Sequence, residues 1–158
     1  MTTVYLALGS NVGDSARHIK LAVTLLEDVL NNVRQAPVYL SRAVGYTDQP
    51  NFLNTAVSGQ TDLEPEVLLE KLKNIEKKVG RTATFHHGPR QIDIDIILYG
   101  HRVIKNDRLI IPHPRFKERD FVLKPLCDLD PNLKDPVSGR MITQLLGQLK
   151  PEQKAIIT

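Results

Sequence analysis

Two hydrophobic periodicities take turns along the chain, and their order leaves few folds open. Val4, Leu6 and Leu8 alternate with Tyr5, Ala7 and Gly9, the period of a strand. The turn Gly9-Ser10-Asn11-Val12-Gly13-Asp14-Ser15 follows and ends in residues suited to capping a helix. Ile19, Ala22, Val23, Leu26, Leu30 and Val33 then recur at helical spacing, predicting a helix over 15–31. Pro37-Val38-Tyr39-Leu40 reads as the middle of a second strand ending near Ser41, residues 42–51 as a loop, and Phe52 to Thr61 as a third strand. Glu64-Pro65 opens a second helix, whose apolar stripe is Val67, Leu68, Leu72, Ile75 and Val79 and whose C-cap is Gly80. Residues 81–89 form a loop and 91–99 a fourth strand. Residues 102–111 predict one or two short strands around Asn106-Asp107. Short helices follow near 122–128 and 141–149, with a loose tail after Pro151. Strand, helix, strand, strand, helix, strand is the βαββαβ order of ferredoxin-like α+β folds. Such a fold is an antiparallel sheet with helices packed on one face, extended here by C-terminal helices.

The length, 158 residues, predicts a single domain over 1–158, large enough to bury a core without staples. The lone cysteine, Cys127, excludes an internal disulfide and sits in an apolar run, which predicts an inert thiol in a reducing compartment. MTTVYLALGSN reads as a strand, with neither the basic nor the long apolar region of a secretory leader. No run reaches the roughly 20 apolar residues of a membrane span. A cytoplasmic protein is expected. The net charge of +3 conceals an asymmetry: residues 71–125 carry 13 Lys/Arg against 6 Asp/Glu. That local excess suggests an anionic partner, although a solvated basic surface would leave the same signature.

The fourth strand holds the main anomaly. In Ile92-Asp93-Ile94-Asp95-Ile96 the two aspartates share one face, about 6.6 Å apart along the strand, and the isoleucines face the helices. Aspartate is depleted in strands, and two adjacent carboxylates repel and resist burial. Something positive is required: a divalent cation such as Mg²⁺, held by carboxylates and substrate phosphates, or Lys and Arg partners on an exposed face. Gly88-Pro89-Arg90 precedes the strand and brings a guanidinium suited to phosphate. The segment 113–119 adds His113, Arg115, Lys117 and Arg119. Carboxylates for a metal, cations for phosphate and a nearby imidazole together suggest phosphoryl transfer. The chain has neither a GxxxxGK[ST] phosphate loop nor the protein-kinase motifs.

Five segments, YLALGSNVGD at 5–14, DQPNFLNTAV at 48–57, IEKKVGR at 75–81, HGPRQIDIDIILYG at 87–100 and IPHPRFKERDFVLKPL at 111–126, resemble the 6-hydroxymethyl-7,8-dihydropterin pyrophosphokinase family. The resemblance covers about residues 2–149 and implies transfer of pyrophosphate from ATP to a pterin hydroxyl in folate biosynthesis, with AMP leaving. It implies two Mg²⁺ ions on Asp93 and Asp95. It implies triphosphate and nucleotide contacts from Arg81, Arg90, Arg108, His113 and Arg119, with Glu76 on the ribose side and Ile96 and the Ile110-Ile111 backbone beside adenine. For the pterin it implies a sandwich between Phe52 and Phe121, hydrogen bonds from Asn54, and backbone contacts near Ser41 and Val44.

Taken singly, these residues have plainer readings. Phe52 and Phe121 suit a core, His113 a turn, Arg108 the surface, and Glu76 a pairing with a nearby lysine. His86 and His87 diverge in an extended loop and make a poor metal pair. The chain departs from the family in Lys73 for a frequent Gln, His87 for a frequent Trp, Phe52 for a common Tyr, Ala83 at a position with Arg in some members, and a loop SRAVGYT at 41–47 without Thr-Pro-Pro. Loop 81–89 also looks slightly shortened. Both loops are expected lids. Two other functions share some features: a metal-dependent phosphohydrolase and a non-catalytic ferredoxin-like binding module. The strands lack the aromatics of an RNA-stacking sheet, so no nucleic-acid partner is expected. No exposed apolar stripe announces a second copy, and a monomer is expected.

Overall fold

The strand marked by Val4, Leu6 and Leu8 is the middle of the molecule. In a computed structural model, which describes residues 1–80, 85 and 87–158, the elements run β1 (Thr2–Ser10), α1 (Ser15–Leu26), β2 (Asn31–Gln35), β3 (Tyr39–Ser41), β4 (Phe52–Thr61), α2 (Pro65–Val79), β5 (Asp93–Tyr99), β6 (Ile104–Lys105), β7 (Ile110–Ile111), α3 (Asp120–Leu129) and α4 (Ile142–Gly147). The main sheet has the order β2-β4-β1-β5, with β3 also pairing β4. Its paired strands are antiparallel. This is the ferredoxin-like order, with the second strand divided into β2 and β3. A separate β6–β7 ribbon flanks β5.

Alternation along the strands builds two cores. Val4, Leu6, Leu8, Ile92, Ile94 and Ile96 pack against Ile19, Ala22 and Leu26 of α1 and Leu68, Leu72, Ile75 and Val79 of α2. Each fully buried Leu or Ile stabilises the fold by about 1.5–3 kcal/mol. On the opposite face, Ala56, Ile97 and Leu98 pack with Phe116, Leu123, Leu126, Ile142 and Leu145. Helices therefore cover both faces of the sheet, not one, because the extra C-terminal helices bring an apolar stripe of their own.

β5 serves both cores through a bulge. Leu6 pairs with Ile96 but Tyr5 pairs with Leu98, so Ile97 is surplus to the ladder. Before the bulge, even-numbered residues face α1 and α2; after it, Ile97 and Leu98 both join the second core and Tyr99 returns to the first.

Two sequence expectations need correction. α1 ends at Leu26, not at 31, and β2 begins at Asn31 with Asn32 at φ 52°. Leu30 and Val33 keep helical spacing, yet a turn and an edge strand satisfy it equally, and Asn is the residue that tolerates positive φ. The tail is not loose. Residues 151–153 form a 3-10 turn, Ile156 bridges Ser41, and Leu40 exchanges backbone hydrogen bonds with Ile157 and Thr158 at 2.7–3.3 Å. α2 ends as expected, with Gly80 at φ 115° receiving the chain in the left-handed conformation. Among the described residues no helix is long and apolar enough to cross a membrane.

Candidate active site

The site grows from one row of residues across three strands. Gly9 on β1 is the register partner of Asn54 on β4 and of Asp93 on β5. Two rows on, and on the same face, Ala56, Ala7 and Asp95 are joined in the same way. Small residues on the central strand leave the sheet surface open between the amide and the carboxylates. A cavity of about 270 Å³ lies over these rows. It is lined by Ser41, Val44, Phe52, Asn54, Arg90, Asp93, Asp95, His113, Arg119 and Phe121, ten of the residues singled out in the sequence. A second cavity, about 330 Å³, is lined by Ile96, Arg108 and Ile110, with Lys73 and Leu69. Asp95 and His113 line both.

Electrostatics mark the acidic pair. Burial, the adjacent Asp93 and then Glu76 hold the Asp95 carboxyl well above the usual carboxylate range, while Arg119 partly offsets them. Glu76 is 5% exposed, and its Oε2 accepts the Ile94 backbone N–H at 2.8 Å on the free edge of β5. It lines neither cavity and stands behind the strand, tying α2 to the peptide between the two aspartates.

The cations are held differently. Arg119 is half-buried, its guanidinium 5.8 Å from the Phe121 ring centre. Burial lowers its pKa, and the charge of Asp95 opposes that shift. Arg90 turns its Nη1 onto the carbonyls of Gly88, Pro89 and Phe85 at 2.9–3.2 Å. Arg108 is exposed at the β6–β7 turn, which Asn106 shapes by accepting the Arg108 and Leu109 amides. His113 donates its backbone N–H to the carbonyl of the bulged Ile97 at 3.2 Å. Its Nδ1 accepts the Arg115 amide, so the neutral ring carries its proton on Nε2. Burial first, then Arg119, lowers its pKa to about 4, so it is neutral at physiological pH. Arg81 and Ala83 lie outside the described residues, as does His86.

On the other side of the cavity, Asn54 donates from Nδ2 to Ser41 Oγ at 2.5 Å, both side chains being buried. The close approach of Asn54 Oδ1 requires glycine at position 9, where a Cβ would stand 2.8 Å from that oxygen.

Three participants were not legible in the sequence. Asn11 is buried; its Oδ1 accepts the Arg90 amide at 2.8 Å and its Nδ2 donates to Gln49 Oε1 at 2.8 Å. Gln49 Nε2 in turn donates to the carbonyls of Tyr46 and His87. These bonds, with an edge-on Tyr46–Phe85 pair at 4.8 Å, join the two loops expected to act as lids. The third participant is Asp120, between Arg119 and Phe121. The only advance signal was a polar side chain in each of the turns GSN and DQPN.

The domain is thus a ferredoxin-like sheet carrying an acidic pair, several cations and a cleft with a buried amide at one end. The chain belongs to the 7,8-dihydro-6-hydroxymethylpterin-pyrophosphokinase (HPPK) family, whose model matches residues 5–131. It is 45% identical over 152 residues to the 2-amino-4-hydroxy-6-hydroxymethyldihydropteridine pyrophosphokinase of Aquifex aeolicus, covering 96% of this chain and 92% of that one. The Bacillus subtilis protein of the same name is 43% identical over 127 residues, 79% of this chain and 76% of its own. A Plasmodium falciparum HPPK-DHPS structure shares the fold, with a TM-score of 0.75 at 16% identity over 93% of this chain. The chain spans 43% of the length of that structure.

Proposed function

We propose that this chain transfers the β,γ-diphosphate of ATP to the hydroxymethyl group of 6-hydroxymethyl-7,8-dihydropterin. The observation that carries the reading is the meeting of two cavities at Asp95 and His113. The Asn54–Ser41 side, between Phe52 and Phe121, takes the pterin, and the Ile96–Arg108 side takes the nucleotide. The pterin hydroxyl oxygen forms a bond to the β-phosphorus. The bond from that phosphorus to the α-phosphate's bridging oxygen breaks, AMP leaves with the electron pair, and the hydroxyl proton is released.

Two half-buried carboxylates on one strand face, one resisting ionisation, are a hard-oxygen donor set that fits Mg²⁺. Asp93 and Asp95 would hold two such ions, which when bound offset the charge of the triphosphate. Neutral His113 offers its Nε2–H to a phosphate oxygen, and Arg119 stabilises the charge that develops between the substrates. Arg90 exchanges its loop carbonyls for phosphate, and Arg108 reaches the nucleotide from the ribbon. Arg81 is assigned to phosphate by likeness to the family alone. The protein's main contribution is to align two substrates across one sheet.

Phosphorus NMR with MgATP and the pterin tests the reading. AMP and pterin diphosphate should appear one for one, and only with both pterin and Mg²⁺ present. ADP and phosphate formed without pterin would make the chain a phosphohydrolase.

A further inference from the structure

The pterin side of the cleft has two walls that are far apart in sequence. One is the end of β3, with Ser41 and the loop that carries Val44. The other is the start of α3, with Arg119 and Phe121. The C-terminal segment is bonded to both. On the first wall, Ile156 bridges Ser41, and the Arg42 amide donates to the Ala155 carbonyl at 2.9 Å. The Arg42 guanidinium also donates to the Lys154 carbonyl at 2.5 Å.

On the second wall the tail is held by a buried carboxyl group. Asp120 is 5% exposed, and its two carboxylate oxygens accept the Ala155 and Ile156 amides at 3.0 Å. A buried carboxylate is costly without such donors. Its immediate neighbours, Arg119 and Phe121, both line the cleft. A side chain held from behind by the tail therefore sits between two that face the ligand.

We propose that Asp120 and residues 155–158 form a tie that sets the width of the pterin cleft, making Asp120 a positioning residue for Arg119 and Phe121. This rests on the assignment of that cleft to the pterin. The second cavity shares only Asp95 and His113 with the first and contains no part of the tail. The tie therefore meets the cleft on its pterin side, and reaches the chemistry between the substrates only through Arg119. Loss of the tie relaxes one wall against the other, and a displacement of about 1 Å in a positioning group weakens productive alignment substantially.

The experiment compares the intact chain with a variant truncated after Lys154, with Asp120→Asn and with the truncated Asp120→Asn double variant. KM for each substrate and kcat are measured along with thermal unfolding. The truncated chain should show KM for the pterin raised about tenfold, kcat lowered through the displaced Arg119, and KM for ATP changed less than about twofold. Asp120→Asn, which keeps one acceptor oxygen, should fall between the truncated and intact chains. The double variant should resemble the truncation alone, since both changes remove one interaction. Four results would overturn the tie: an unchanged pterin KM in a folded truncated chain, equal rises in both KM values, a fall in kcat alone, or unfolding of both single variants. Failure of the intact chain to form AMP with the pterin would instead remove the assignment of the cleft, and the tie with it.

Discussion

Asn54 and Asp93 stand on either side of Gly9 in one row of the sheet, two inter-strand spacings apart, or about 10 Å. The row joins the end of the cleft that can read a heterocycle to the end that can hold a charged group. Its middle member must be small. Gly9→Ala should press its Cβ against Asn54 Oδ1, 2.8 Å away, and approach the Phe52 ring at 3.6 Å. The expected result is a pterin KM raised about tenfold or more with a smaller change for ATP, and about 1–3 kcal/mol lost from stability. Steady-state kinetics and urea unfolding check both parts.

Asp95 should trade stability for activity. Its carboxyl is held above the ordinary range, so its contribution to stability is present at low pH and is lost as pH rises through the raised value. With no cation bound, ionising Asp95 beside Asp93 costs the fold stability. Asp95→Asn should therefore raise the metal-free protein's stability, by about 1 kcal/mol, and lower turnover by roughly 10²-fold or more. Unfolding with chelator present, alongside turnover at saturating Mg²⁺, measures the two. Near-normal turnover would remove Asp95 from the chemistry.

His113 predicts an acid sensitivity of the opposite sign. Its folded pKa is about 4, against 6.5 for the unconstrained ring. Between those values the unfolded chain binds more protons, so the contribution is complete above about pH 6.5 and is lost as pH falls toward 4. The loss reaches roughly 3 kcal/mol at most. His113→Asn should flatten that limb of the stability profile, as read by denaturant titrations from pH 4.5 to 7.5.

The Asn11–Gln49 pair couples the two loops. Gln49→Ala removes donors to the Tyr46 and His87 carbonyls and leaves Asn11 without one of its partners. Global stability should fall by no more than about 1–2 kcal/mol. Amide exchange in residues 42–51 should accelerate, and KM should rise for both substrates. That joint rise separates loop coupling from the pterin-only effect expected of Gly9→Ala.

Much of this was open to a reader of the sequence. The order of the strands follows from periodicity, and β4 occupies the range predicted from its alternation, Phe52–Thr61. The acidic pair declares itself because aspartate violates strand propensity twice on one face. What stays hidden is whatever depends on partners that no local pattern names. Leu30 and Val33 fit a helix as well as the turn and strand they occupy. The tail carries no periodicity, and its order comes from Asp120 and Leu40, more than 30 residues away. Asn11 and Gln49 matter only once two loops have met. Glu76 is assigned to the nucleotide side by family resemblance alone, and its bond to the Ile94 amide is a contact no local pattern names.

The surplus residue in β5 has a further consequence. A regular ladder would turn the Ile97 carbonyl into the sheet, and His113 would lose the acceptor that holds its backbone. The spacing between the acidic pair and the imidazole is thus written as a miscount of one between neighbouring strands. Deleting Ile97 would leave Leu98 opposite Tyr5 in the second core, take one apolar side chain from that core, and remove the carbonyl that holds His113 beside Asp95.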